Sequence, residues 1–162
     1  MALSGITIEE AQEGPKVTTV QHQSGGETYD AQVLIGARVD KILVEGSVSV
    51  PSAGTAEVSH SDIDIVGFAE IRLLFWPDGE GVSVTGGDSQ ADFFDADGDF
   101  VGNDNFSASS YSYTLIDGST QVFGEASINY PDVPPSKMNL KIVFENTSEE
   151  DRTVSYKVIG VT

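Results

Sequence analysis

The chain has 162 residues, the length of a single domain, and its 26 acidic and 8 basic residues give a net charge of −18. This charge argues against a nucleic-acid partner, which needs a basic patch, and against binding to an anionic membrane surface. The absence of cysteine excludes disulfides, thiolate nucleophiles and cysteine-ligated metal sites.

The first half of the chain shows short stretches in which apolar and polar residues alternate. Residues 1–15 are polar and broken, with a brief alternation at Ile6 and Ile8, and they predict an extended N-terminal arm. The apolar run at 71–76 predicts a strand covered on both faces, although its pattern alone leaves a short helix open. Further strands are predicted at residues 16–23, 29–44, 47–50, 56–58 and 63–65, with breaks at 25–26, 46 and 51–54.

The second half continues the same alternation. Residues 86–106 are rich in Asp and Asn and predict one long loop. The pair Asp117-Gly118 predicts a hairpin turn between two strands, and residues 138–145 and 153–161 predict a last hairpin. Strands are therefore expected at 82–84, 107–116, 121–128, 138–145 and 153–161.

No window shows the 3.6-residue apolar period of an amphipathic helix. Many short strands with turn signals about every ten residues are typical of a sandwich or barrel. We therefore predict an all-β fold, an antiparallel β-sandwich of jelly-roll-like type. It comprises a single domain over residues 16–162, preceded by the arm of residues 1–15.

The amino-acid composition is typical of proteins from salt-loving organisms. Hydrophobic residues make up 39% of the chain, which is too many for a disordered polyanion. A folded chain of charge −18 repels itself, and concentrated salt screens that repulsion because the Debye length falls to about 3 Å at 1 M. The excess of acid with few lysines predicts a halophilic protein; an ordinary acidic domain or a divalent-cation binder is the alternative.

The acidic loop predicts a candidate metal site. Carboxylates at alternate positions and nearby glycines can converge on a hard cation such as Ca²⁺ or Mg²⁺, which takes oxygen ligands. Counted from Asp95, the loop lacks the glycine and glutamate of an EF-hand, and a solvated acidic loop is the competing interpretation. The candidate ligands are Asp95, Asp97, Asp99 and Asp104.

The sequence shows no catalytic set, and we expect that the protein is not an enzyme. Residues 60–62 place His, Ser and Asp together, but neighbours on a strand point to opposite faces and cannot form a relay. Phenylalanines 93, 94, 100 and 106 in the loop are expected to fill the core, to contact another subunit or to stack on sugar, and Trp76 is a further candidate for sugar stacking. Sequons begin at Asn105 and Asn146 and predict exposed side chains.

Two segments resemble parts of viral proteins. Residues 17–33, a polar strand, a Gly-Gly bend and a Tyr-x-x-x-Val strand, resemble arm segments of small virion proteins of tailed viruses. Residues 140–148 and 156–158 resemble the closing strands of viral β-sandwiches. With the acidity, this resemblance implies a capsid-associated, decoration or turret protein from a virus of a halophilic archaeal host.

Two functions follow from different classes. The first is a virion structural protein, located in the virion, that forms a homo-oligomer (a trimer or pentamer) and binds other virion proteins through its arm. The alternative is a secreted or cell-surface carbohydrate-binding module that uses Trp76 and the acidic loop with a bound cation. The first residues lack the charged start and apolar core of a signal peptide, which favours the virion function.

Overall fold

The computed structural model describes residues 3–9, 17–24, 27–34 and 40–162. Within these ranges all of the regular secondary structure is β-strand. This described part therefore contains no helix that could span a membrane. The predicted all-β antiparallel fold is confirmed. The strands are β1 (Leu3–Glu9), β2 (Val17–Ser24), β3 (Glu27–Leu34), β4 (Asp40–Val50), β5 (Gly54–Asp64), β6 (Glu70–Pro77), β7 (Val82–Val84), β8 (Gln90–Phe94), β9 (Phe100–Asn105), β10 (Ala108–Thr114), β11 (Thr120–Ile128), β12 (Lys137–Asn146) and β13 (Arg152–Val161).

The chain divides into two compact units, Met1–Val39 and Asp40–Thr162. In the first unit, β1 pairs with β2 and β2 with β3, all antiparallel, and the second pairing runs from Val17 opposite Leu34 to Ser24 opposite Glu27. The predicted end of the arm, between residues 15 and 16, lies outside the described residues. The division into an arm and one domain stays a prediction.

The second unit is a β-sandwich of two layers. The first layer has the strand order β4-β13-β6-β11-β10, and in the second layer β12 pairs with β5 on one side and with β7 and β8 on the other. Strand β10 belongs to both layers, because its first residues pair with β7 and its later residues with β11. The shared strand joins the layers along one side of the core.

The hydrophobic core lies between the two layers. It is formed by apolar side chains at every second position of the strands, which point inward. In β6 the inward side chains Ile71, Leu73 and Phe75 are fully buried, while their neighbours are half-buried. Phe144 of the second layer contacts rings of the first layer on Phe75 and Tyr156, at centroid distances of 5.6 and 5.9 Å. Gly124 is required beside this cluster, since a Cβ there would overlap the Phe75 ring.

Three predictions about the strands are wrong. Residues 86–106 are not one loop, because β8 and β9 form a hairpin in which buried Ala91 and Phe93 alternate with polar residues. The last two strands, β12 and β13, do not pair with each other and lie in opposite layers. Residues 29–44 are divided between β3 and β4, and β4 continues through Gly46, where a Cβ would meet the Tyr156 hydroxyl.

Asn146 is buried, contrary to the exposed sequon predicted from the sequence, whereas Asn105 is exposed as predicted. The Asn146 amide donates hydrogen bonds to the carbonyls of Val50, Pro51 and Glu150, the last at 2.7 Å. Its oxygen accepts from the backbone N–H and the hydroxyl of Ser148. The side chain therefore satisfies the backbone of two turns, which is a structural role for a buried amide.

The burial of Tyr130 predicts that the protein loses stability at high pH. Burial raises the pKa of Tyr130 to about 12, whereas a tyrosine in an unfolded chain titrates near 10. The folded state therefore holds this proton more tightly, so the stabilisation is complete below about pH 10 and is lost as the pH rises towards 12. We expect Tyr130→Phe to keep more of its neutral-pH melting temperature between pH 10 and 12.

The control for this prediction is the same comparison at pH 7. The Tyr130 hydroxyl is buried without a hydrogen-bond partner among the described residues, so the phenylalanine variant should be at least as stable as the wild type there. Equal alkaline losses of melting temperature in the two proteins would contradict the assignment to Tyr130. Thermal melts followed by circular dichroism across the pH series provide the measurement.

Candidate functional site

The acidic turn between β8 and β9 holds three of the four predicted metal ligands. The Asp95 carboxylate accepts hydrogen bonds from the backbone N–H groups of Asp97 and Asp99, both at 2.9 Å. Gly98 has a φ of 88°, a left-handed conformation that glycine adopts without strain. The Asp95 side chain thus closes the turn, a role that Asp often has in loops.

Asp104 lies away from this turn. It is opposite Ala91 on the β8–β9 hairpin. It follows Phe100 by four residues, so it lies roughly 13 Å further along the strand than Phe100, which lies just after the turn. Its carboxylate accepts a hydrogen bond of 2.7 Å from the backbone N–H of Asn129. The structure does not bring the four predicted ligands together, and no group of three or more potential metal ligands occurs within the described ranges. Cation binding stays a prediction for the turn.

The four phenylalanines of the region have two different environments. Phe93 and Phe106 are buried in the core. Phe94 and Phe100 contact each other edge to face at 6.0 Å, and Phe100 remains 59% exposed. The interpretation that these rings fill the core is therefore confirmed for two of them.

The residues 60–62 are not brought together into a catalytic group. His60 points towards the core, where its Nε2 lies 2.9 Å from the Tyr156 hydroxyl, whereas Ser61 is exposed. Burial raises the pKa of Tyr156, which keeps that hydroxyl protonated. The contact joins β5 of one layer to β13 of the other and has the features of a structural hydrogen bond.

The most unusual surface is the end of the β10–β11 hairpin. Residues 111–121 are all exposed, on both faces of the ribbon, so the hairpin projects from the sandwich. A two-stranded ribbon is only marginally stable by itself in water. Its large side chains, here called the apolar tip, are Tyr111, Tyr113, Leu115 and Ile116.

The turn of this hairpin is closed by hydrogen bonds between its own residues. The Asp117 carboxylate accepts from the Ser119 hydroxyl at 2.6 Å and from its backbone N–H at 2.9 Å. The hydroxyl bond, together with the backbone bond, lowers the pKa of Asp117. Asp117 is the single charged residue between Asp104 and Glu125. That gap in the charge pattern is the sequence signal that points to this surface.

Trp76 lies on the outer face of the first layer, in a different layer from the acidic turn. Its ring contacts that of Phe123 on the adjacent strand, with centroids 5.6 Å apart and planes tilted by 51°. The structure does not bring Trp76 and the turn together in one site. Phe123 was not singled out from the sequence, since the β6–β11 pairing that places it beside Trp76 joins residues far apart in the chain.

No protein-family model and no curated protein matches the chain. A solved structure, described as the structural basis for the promiscuous specificity of carbohydrate-binding modules from the β-sandwich superfamily, is similar to it. The likeness has a TM-score of 0.39 and 12% sequence identity, and it covers 98% of this chain and 75% of the other. At these values neither a fold nor a ligand is carried over from that protein.

Proposed function

We propose that the protein is a self-assembling structural component of a virion. In this proposal the apolar tip of each copy packs against a neighbouring copy in a symmetric homo-oligomer. The observation that carries the proposal is the projecting hairpin, in which every residue from 111 to 121 is exposed and four of them are large and apolar or aromatic. Clustered exposed apolar side chains mark interaction surfaces.

The charge distribution favours a second copy as the partner. Two chains of charge −18 repel each other wherever their carboxylates meet. The twenty residues between Asp104 and Glu125 contain one charge, so a contact through this hairpin brings few carboxylates of two copies together. A strongly basic partner would instead be attracted to the acidic remainder of the surface.

Covering the apolar tip contributes part of the free energy of association. Full burial of an isoleucine side chain contributes about 1.5–3 kcal/mol, which applies to the fully exposed Ile116, whereas Leu115 is only 36% exposed and gains less. Cyclic symmetry repeats that contact around the ring. The resemblance of residues 17–33 to virion arms supports placing this assembly in a virus particle, and the separate N-terminal unit offers a second element for binding neighbours.

The test compares two variants that each add one negative charge to an exposed site. We expect wild-type protein in about 2 M KCl, where charge repulsion is screened, to form a trimer or pentamer by light scattering. Ile116→Asp should raise the protein concentration needed for assembly at least tenfold. Val66→Asp is the matched control, because Val66 is also exposed but lies outside the hairpin, and it should assemble like the wild type.

Two outcomes would overturn the proposal. One is a wild-type protein that stays monomeric at all salt concentrations and binds no other virion protein. The other is equal assembly of Ile116→Asp and Val66→Asp, which would show that the tip is not the contact. Melting temperatures of both variants establish that they are folded.

A further inference from the structure

The outer face around Trp76 carries a second candidate surface, which adjoins the apolar tip where Tyr113 is opposite Gln121. Trp76 stands between two shallow depressions and lines both of them. The depression over β4 and β13 has a volume of about 450 Å³, and the one beside the start of β11 has about 270 Å³. Phe123 supports the Trp76 ring from the neighbouring strand.

The larger depression lies over the outer faces of β4 and β13. Ser47 of β4 is opposite Ser155 of β13, and Ser155 is opposite Trp76 of β6, so the three side chains share this face. The exposed hydroxyls of Ser47 and Ser155 line the same depression. An aromatic ring with hydroxyl groups at its side is therefore open to a ligand from solvent.

The charges at this face exclude anions. Lys157 lies 3.5 Å from the Glu45 carboxylate, so the cation of the larger depression is already paired. The smaller depression contains Asp78 and the amide of Gln121, both exposed, and no basic residue. An anionic ligand would meet carboxylates on both sides of Trp76, as would a second copy of this acidic chain.

We propose that this face binds a neutral glycan, with one sugar ring stacked on Trp76 and the adjoining sugars in the two depressions. Sugars combine an apolar ring face with many hydroxyls, which matches an indole flanked by Ser, Gln and carboxylate groups that accept or donate hydrogen bonds. A glycan needs no charge, so the net charge of −18 does not oppose it. The site borders the contact proposed for assembly, since Gln121 of the smaller depression accepts a hydrogen bond from the Tyr113 hydroxyl of the apolar tip at 3.0 Å. Trp76 belongs to the glycan site alone and Ile116 to the apolar tip alone.

The chain's sole tryptophan gives a direct readout. We expect at least one of three neutral soluble polysaccharides (a β-glucan, a xylan and a galactomannan) to shift the fluorescence emission of Trp76 saturably. The anionic polygalacturonate should cause no shift. Trp76→Ala should lose at least tenfold in affinity for the neutral glycan by calorimetry. Phe100→Ala, which removes an exposed ring elsewhere, is the matched control and should bind normally.

Assembly and glycan binding separate in the same experiment. Ile116→Asp should keep the glycan affinity of the wild type, and Trp76→Ala should keep its oligomeric mass. The inference is overturned if none of the neutral polysaccharides changes the emission of the wild-type protein, or if Trp76→Ala binds the glycan as the wild type does. The emission titration uses unaltered protein, so it decides the question even if the alanine variant folds poorly.

Discussion

Replacing Phe144 with alanine is expected to lower the free energy of unfolding by about 3–5 kcal/mol, the usual cost of removing a buried aromatic side chain. Phe144 is fully buried and is the ring of the second layer that contacts Phe75 and Tyr156 of the first. Its loss would leave a cavity between the two layers. A typical domain is stable by only about 5–15 kcal/mol, so the variant should melt at a much lower temperature.

Phe100→Ala is the matched control for that experiment. It removes the same side chain from a site that is 59% exposed, where its contact is an edge-to-face pair with Phe94. We expect a loss of at most about 1 kcal/mol, the scale of an aromatic pair near the surface. Urea unfolding at fixed salt measures both variants, and similar losses would contradict the placement of Phe144 at the centre of the core.

The local elements of the sandwich could be predicted where the alternation of apolar and polar residues is clear. The β10–β11 hairpin follows from alternating residues on both sides of Asp117-Gly118, and the structure pairs Tyr111 with Phe123 across it. The β8–β9 hairpin is hard to predict because its Asp and Asn residues have low strand propensity and obscure the alternation of the buried Ala91 and Phe93. These residues are Asp92, Asn103, Asp104 and Asn105.

Strand pairing between distant parts of the chain was not predictable in the same way. β12 and β13 are consecutive and alternate well, which suggested a hairpin, yet β12 pairs with β5, β7 and β8. Nothing in a single strand's pattern states which neighbour it will have. The same limit applies to the candidate sites. Strand pairing places Phe123 in contact with Trp76, and the register of the β8–β9 hairpin places Asp104 far from Asp95.

Raising KCl from about 0.1 to about 2 M is expected to raise the melting temperature of the protein, because the Debye length falls from about 10 Å to 3 Å or less. The sandwich unit alone contains twenty-one acidic and six basic residues between positions 40 and 162. Salt also weakens its ion pairs, such as Lys137 with Asp62 at 3.4 Å and Lys157 with Glu45 at 3.5 Å. Exposed pairs of this kind contribute about 0–1 kcal/mol each, so the relief of repulsion should dominate.

A variant with fewer charges tests the cause of the salt effect. Asp97 and Asp99 are exposed in the turn that Asp95 closes, and they contribute their backbone N–H groups, so replacing both with asparagine keeps those hydrogen bonds. This variant should start from a higher melting temperature at low salt and show a shallower rise with KCl. A melting temperature of the wild type that is flat or falls across the series, or an equal slope in the variant, would show that self-repulsion does not limit stability. The halophilic interpretation of the composition would then lose its physical basis.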